Sequence, residues 1–129
     1  MNRLINPDDL PEPRGFSHAV ASDGERTLWV AGQTGDLADG TLPEGLVDQF
    51  RQALANVTAC MTEAGFPPDS LVRMVIYTTD LGAYRRSLTP LGEAYRQVFG
   101  RHYPAMALIG VTELFDPAAK VELVCTAVL

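Results

Sequence analysis

Residues 46–78, LVDQFRQALANVTACMTEAGFPPDSLVRMVIYT, combine the two patterns that decide the fold of this chain. In Leu46–Ala64 the apolar side chains recur every three to four residues, which predicts an amphipathic helix. Gly65 ends that helix, and Pro67-Pro68 prevent its continuation. Leu71–Thr78 is rich in Val, Ile and Tyr and therefore predicts a β-strand.

The strand predicted for Leu71–Thr78 is apolar on both faces. One face carries Val72, Met74 and Ile76, and the other carries Leu71, Val75 and Tyr77. A sheet built from such strands needs cover on both sides. Helices of the same chain cover one side, so we expect a second and a third copy of the chain to cover the other.

The same patterns predict the other elements on either side of this stretch. The predicted strands are Arg3–Ile5, Phe16–Ala21, Thr27–Ala31, Ala105–Val111 and Lys120–Val128. Asp23-Gly24 predicts a hairpin turn between the second and third of these strands. A second helix is predicted from its N-cap Asp80 to Phe99, with a break near Thr89 and Pro90. Without Arg3–Ile5, which is at most a short edge strand, the order β-β-α-β-α-β-β predicts an α+β two-layer sandwich, in which two helices lie on one face of a mixed β-sheet.

Length and composition limit the classes of function. The chain has 129 residues, which fits one domain over residues 1–129, and its net charge is −6 without a Lys/Arg cluster. Proteins that bind nucleic acid usually present a basic face, so RNA or DNA is not an expected partner. No apolar run is long enough to span a bilayer and no secretory signal is recognisable, so no membrane partner is expected and the cytoplasm is the expected location.

The cysteines and histidines indicate no special chemistry. Cys60 and Cys125 are far apart in apolar surroundings, which predicts two buried free thiols. His18 and His102 lack the spacing of a metal-binding motif, so neither a metal nor a cofactor is expected.

From about Arg14 to Leu129 the chain resembles the RidA/YjgF family of imine and enamine deaminases. The matching segments are Val30–Gln33, Glu63–Gly65, Val75–Leu81, Tyr103–Ala105, Val121–Leu123 and Thr126–Val128. Their order and spacing carry the resemblance, since no single segment is specific. It implies a chorismate-mutase-like fold and a homotrimer with a small-molecule cleft at each subunit interface.

The resemblance also implies a reaction, the hydrolysis of 2-imino or 2-enamino acids to 2-oxo acids and ammonia. In the family an arginine binds the substrate carboxylate in a bidentate pair, and a glutamate positions the water and transfers the proton. Matched by position, the family's arginine is Met106 here, and its cysteine or other small residue is Leu108. Its tyrosine, serine and asparagine correspond to Phe16, Ala31 and Leu88, beside the turn glycine Gly32. The glutamate is retained as Glu122.

These departures predict a single cleft in which five polar positions have become apolar. Hydrogen bonds to charged groups contribute roughly 1.5–3 kcal/mol each. Losing the arginine fork therefore weakens carboxylate binding about a hundredfold or more. We expect the deamination of small imino acids to be weak or absent.

Three functions follow from this interpretation. The first is a cleft re-lined for an apolar small molecule, with imine- or enamine-type hydrolysis by Glu122 as the enzymatic version. The alternative is a non-catalytic metabolite-binding or chaperone-like module. An endoribonuclease, a description also used for this family, is the least favoured.

Simpler interpretations stand beside the functional ones for several side chains. Glu122 also fits a solvated strand face. His18 is either a base at the rim of the cleft or, more simply, a half-exposed strand histidine. Arg101 is an alternative source of the missing guanidinium. Trp29 is expected in the core or at an interface.

Overall fold

The computed structural model describes all 129 residues, with six strands and three α-helices in the order β-β-β-α-β-α-α-β-β. The strands are β1 (Asn2–Ile5), β2 (Ala19–Ser22), β3 (Thr27–Gln33), β4 (Leu71–Thr78), β5 (Ala105–Gly110) and β6 (Val121–Val128). The helices are α1 (Leu46–Ala64), α2 (Leu81–Arg86) and α3 (Leu88–Phe99), and a short 3₁₀ turn, Pro68–Ser70, precedes β4.

Four strands form the main sheet, in the order β3-β6-β4-β5. β4 and β5 are parallel, whereas β6 is antiparallel to both β3 and β4, so the sheet is mixed. α1 packs against α3 and against β3 and β6. The inward side chains of the helices and the sheet form one core of 20 buried residues. The predicted α+β two-layer sandwich is confirmed.

α1 has the bounds that the apolar period predicted. Its buried stripe includes Phe50, Leu54, Val57 and Met61. Gly65 caps its C-terminus with a φ of 77°, and its N–H donates to backbone carbonyls of the last turn. A left-handed backbone of this kind is readily adopted only by glycine, so the sequence signal and the geometry agree.

The second predicted helix is interrupted at Ser87, which separates α2 from α3. Asp80 is the N-cap of α2, as predicted, and its carboxylate accepts the Ala83 N–H at 2.9 Å. Pro90 is the third residue of α3 rather than the first. The first N–H groups of a helix have no partner within it, so proline is tolerated there. Its ring would clash with the carbonyl of Arg86 in a continuous helix, which explains the break at Ser87.

The predicted hairpin between Phe16–Ala21 and Thr27–Ala31 is wrong. β2 pairs with β1 in a separate two-stranded sheet, and β3 pairs with β6. The turn at Gly24 instead passes close to the C-terminus, where a Cβ on Gly24 would lie 2.8 Å from the Leu129 backbone. Arg26 and Leu129 exchange two backbone hydrogen bonds, which direct β3 onto β6.

Two further details of burial differ from the predictions, and a third, the exposure of Trp29, excludes the core and leaves the interface as the remaining prediction. Leu71 lies in the core rather than on the outer face, because the register of β4 shifts between Leu71 and Arg73. Cys60 is exposed, since its place on α1 lies beside the buried stripe, whereas Cys125 is a buried free thiol. Trp29 is not in the core: 78% of its surface is exposed, on the sheet face that the helices leave open.

Candidate functional site

The chain contains a groove of about 440 Å³. It is bounded by α2 and α3, by β5 at the edge of the sheet, and by the segment Arg14–Phe16. Eleven of the fifteen residues that line it are hydrophobic. Its volume and apolar character fall within the range of small-molecule sites.

Four of the predicted site residues line this groove together: Phe16, Leu88, Met106 and Leu108. Met106 packs against the core, and Leu88 and Leu108 are 60% and 42% exposed. Residues 16 and 106 are far apart in the sequence. Hydrogen bonds from Ser17 to the carbonyls of Tyr103 and Pro104 bring the two segments together.

Glu122 lies on the opposite face of the sheet from the groove. It pairs directly with Tyr77, whereas its neighbour Leu123 is fully buried in the core and pairs with Ile76. Ile76 in turn pairs with Leu108 of the groove. Paired residues of neighbouring strands point to the same side and successive residues to opposite sides. Glu122 therefore cannot reach the groove of its own chain.

Ala31 and Gly32 lie with Glu122, and these three are called the outer-face group. Both small residues are exposed in the part of β3 where the register shifts between Val30 and Gln33. A Cβ on Gly32 would lie 2.8 Å from the carboxyl carbon of Glu122. The carboxylate thus rests over bare backbone. Within one chain the seven predicted site residues form two groups on opposite faces of the sheet. The family resemblance implies a cleft between subunits, so a cleft shared by both groups stays a prediction.

The sequence prediction missed the polar groups of the groove. Arg14, Arg96 and the tyrosines Tyr84 and Tyr103 all contribute to its lining. Arg96 could have been found from the sequence. It lies eight residues after Leu88, so helical spacing alone places both side chains on the same face of α3.

Tyr84 is a neutral hydrogen-bond donor in this lining. Only 8% of its surface is exposed, and burial raises the pKa of its hydroxyl to about 12. The hydroxyl makes no hydrogen bond within the chain. Every polar side-chain atom that is inaccessible to solvent does have a hydrogen-bond partner. The Tyr84 hydroxyl therefore reaches accessible space while keeping its proton at neutral pH.

Tyr95 and Tyr103 form a stacked wall of the groove, with ring centroids 5.4 Å apart. The Tyr95 hydroxyl donates to the His102 carbonyl at 2.6 Å, and His102 Nε2 donates to the Leu71 carbonyl at 2.7 Å. Burial raises the pKa of Tyr95 well above its ordinary value, and Tyr103 and Cys125 add to the shift. These bonds hold the end of α3 against β4, which is a structural role.

Neither His18 nor Arg101 lines the groove. His18 contacts the ring of Phe16 edge-on at 5.2 Å, but its Nε2 donates to the Pro11 carbonyl at 2.7 Å. Arg101 is exposed beyond the end of α3. No helix has the length and apolar character needed to cross a membrane, and no three side chains form a metal-binding cluster.

Comparison with known families identifies the relationship. The sequence profile of the family described as "Endoribonuclease L-PSP" matches residues 9–129. The chain belongs to the RidA/YjgF/RutC family.

Relatives within the RidA/YjgF/RutC family align with almost the whole chain. A "RutC family protein" of Aquifex aeolicus is 35% identical over 127 aligned positions, and the alignment covers 95% of this chain and 97% of the relative. A "2-iminobutanoate/2-iminopropanoate deaminase" of Capra hircus is 30% identical over 131 aligned residues, covering 99% of this chain and 90% of that protein.

Solved structures agree with the family assignment. The Rid protein YyfB of Yersinia pestis superposes with a TM-score of 0.89 at 33% identity, covering 99% of this chain and 98% of that one. TdcF of E. coli, solved with bound serine, gives a TM-score of 0.70 at 26% identity over 98% of each chain. The RidA-family fold therefore extends over the whole chain.

Proposed function

We propose that this chain forms a RidA-like homotrimer whose inter-subunit cleft is re-lined for an apolar small molecule. In this proposal the deamination of small 2-imino acids is weak or absent. Turnover, where it occurs, is imine- or enamine-type hydrolysis with Glu122 as acid/base. The observation that carries the proposal is the groove in which Phe16, Leu88, Met106 and Leu108 lie side by side.

Met106 supports the proposed loss of imino-acid deamination. Its thioether lies in the groove at the position where the family resemblance implies the carboxylate-binding arginine. A thioether cannot donate the two parallel hydrogen bonds that a guanidinium provides. A small imino acid has little apolar surface to offset that loss.

The separation of Glu122 from the groove supports assembly. The open sheet face carries exposed apolar side chains, among them Trp29 and Ile109, at 78% and 42% exposure. β5 is a sheet edge with no charged residue, a feature that is normally covered by a partner. A neighbouring copy that packs on this face would bring its own groove towards the outer-face group.

A deaminase assay tests the proposed activity. Freshly generated 2-iminobutyrate or 2-iminopropionate is supplied to the purified protein, and 2-oxo acid formation is followed with an arginine-containing relative in parallel. We expect at least a hundredfold lower kcat/KM than that of the relative. Comparable rates would contradict the proposal.

A second candidate, non-catalytic binding, is favoured by one specific observation: Glu122 and the groove occupy opposite faces of each chain. Glu122→Gln separates the two candidates, with Glu63→Gln, an exposed residue at the end of α1, as the control. Enzymatic use of Glu122 predicts lost turnover with ligand affinity retained. A binding module predicts no measurable turnover in either protein and equal affinities.

Endoribonuclease activity remains the least favoured function. The net charge is −6, and the two arginines of the groove are too few for the basic face that RNA phosphates require. We expect no RNA binding in a filter or anisotropy assay even at low salt. Salt-sensitive binding of RNA would contradict this.

A further inference from the structure

The rim of the groove carries positive charge in addition to its apolar lining. Arg14 and Arg96 both line it, and none of the fifteen lining residues is acidic. The chain's two ion pairs join Met1 to Asp23 and Asp48 to Arg51, so neither guanidinium of the groove is neutralised. In a chain of net charge −6 this is a local positive site.

Arg96 is held at the groove by its own helix. Its Nη1 lies 3.0 Å from the position that a Cβ on Gly92 would occupy, and Gly92 also lines the groove. Because residues four apart lie on one face of a helix, the guanidinium folds back over the bare backbone of Gly92. Although Arg96 is exposed, its charge therefore lies beside the apolar wall of the groove.

Tyr84 adds an independent indication of a polar ligand group. More than nine-tenths of its surface is buried, its side chain lines the groove, and its hydroxyl has no partner within the chain. Because this hydroxyl reaches accessible space, it can donate a hydrogen bond to a ligand that enters the groove. The groove thus contains two cationic groups and neutral hydroxyl donors, among them that of Tyr84, all suited to an oxyanion.

We propose that the groove binds small carboxylic acids with an apolar body, with the carboxylate held by Arg14, Arg96 and Tyr84. The body packs against Phe16, Met106 and Leu108. This inference rests on the proposed apolar ligand and specifies that the ligand also carries a carboxylate. An arginine fork matches the geometry of a carboxylate, and the apolar wall rejects a ligand that is charged throughout.

Binding measurements with three probes test the inference. 3-Phenylpropanoate offers both parts, 3-phenylpropanamide keeps the apolar body without the charge, and propanoate keeps the charge with little apolar body. Calorimetry or ligand-observed NMR on the intact protein gives the dissociation constants. We expect 3-phenylpropanoate to bind about a hundredfold more tightly than 3-phenylpropanamide, as two charge-assisted contacts would give, and at least about tenfold more tightly than propanoate.

The variants Arg96→Gln and Arg14→Gln remove the proposed contacts one at a time. Each should weaken binding of 3-phenylpropanoate about tenfold and leave that of 3-phenylpropanamide unchanged. Arg86→Gln is the matched control, because Arg86 ends α2, is exposed, and lies over Gly82 as Arg96 lies over Gly92. It does not line the groove, so it should change neither affinity.

Failure of this inference differs from failure of the proposed function. Equal affinity for the acid and the amide, unaffected by either arginine variant, would overturn the carboxylate contact and leave the apolar ligand site intact. Binding of neither phenyl compound would overturn the apolar site and the inference with it. An equal loss of acid binding in Arg86→Gln would show a general charge effect and also overturn the inference.

Discussion

Glu122 and Gly32 show how one residue depends on the absence of a side chain in another. The Glu122 carboxylate lies over Gly32, where an added Cβ would be 2.8 Å from its carboxyl carbon. A Cβ added to Gly35 would lie only 2.6 Å from the backbone of Gln49 in α1. A flexible carboxylate can move aside, whereas the backbone of α1 cannot.

Gly35→Ala and Gly32→Ala should therefore differ in stability. Gly35→Ala forces α1 to shift, and we expect it to lower the free energy of unfolding by about 2–3 kcal/mol. Gly32→Ala should cost less than about 1 kcal/mol, since only the end of Glu122 has to move. Urea unfolding checks both, and equal losses would contradict the assignment of Gly35 as a packing contact.

The Cys125 thiol makes the free energy of unfolding depend on pH in the alkaline range. Burial raises the pKa of its thiol from 9.0 to about 12 in the folded chain. In the unfolded chain the thiol ionises at a lower pH than in the folded chain. The stability that the neutral thiol contributes is therefore complete below about pH 9 and is lost as the pH rises towards 12. At pH 10.5 the loss from this thiol is about 2 kcal/mol.

The variant Cys125→Ala separates this effect from other alkaline groups. Its free energy of unfolding is lower at pH 7 because a cavity remains, but it should fall less than that of the original chain between pH 8 and pH 10.5. Cys60→Ala is the control, since Cys60 is exposed. Parallel pH profiles for the original chain and Cys125→Ala would refute the assignment.

At the scale of elements, α2 is a six-residue helix that carries Tyr84 into the groove. So short a helix has little stability of its own, and its position depends on its cap and on packing. Its Asp80 carboxylate accepts the Ala83 N–H, and Tyr84 packs edge-on against Phe50 of α1 at 6.3 Å. The break at Ser87 then lets α3 begin at Leu88, at the groove.

Asp80→Ala should lower the free energy of unfolding by about 1 kcal/mol through loss of this cap. Asp80→Asn should retain most of the stability, because its side-chain oxygen accepts the same hydrogen bond. Asp69→Ala serves as a control, since Asp69 is exposed and accepts no side-chain hydrogen bond. Denaturant titrations in which all three variants lose equal stability would rule out the capping role.

For the whole molecule, the sheet has one face packed by helices and another that carries Trp29, Tyr77 and Ile109. A face of this kind is stable in water only when its apolar part is small or covered. The proposed trimer covers it, and the same packing would supply the outer-face group to a neighbour's groove. Assembly and site formation would then be one event.

Trp29→Arg tests this coupling. Trp29 is mostly exposed within one chain, so the substitution should barely affect folding of the subunit. A trimer has a mass of about 42 kDa, three times the 14.0 kDa of the chain, and we expect Trp29→Arg to shift light-scattering mass towards the single chain. Ala55→Arg, on the exposed side of α1, should leave the mass unchanged. A trimeric mass for Trp29→Arg would argue against burial of this face.

The sequence by itself determined the elements whose signals are local. The 3.6-residue period and Gly65 defined α1, the run of Val, Ile and Tyr defined β4, and Asp80 marked the start of α2. The family could also be recognised, because it depends on the order of short segments along the chain. Helical spacing by itself also places Leu88 and Arg96 on one face of α3.

Only the tertiary structure decided which residues face one another. Position along the chain does not say which strand lies beside which, so the pairing of β2 with β1 and of β3 with β6 was missed. Position along the chain also does not say which face of the sheet each side chain occupies, because that depends on the strand register. Glu122 and Leu108 seemed to share a cleft because the family match joined them. The ladder through Ile76 and Leu123 places them on opposite faces, because alternate side chains of a strand point opposite ways.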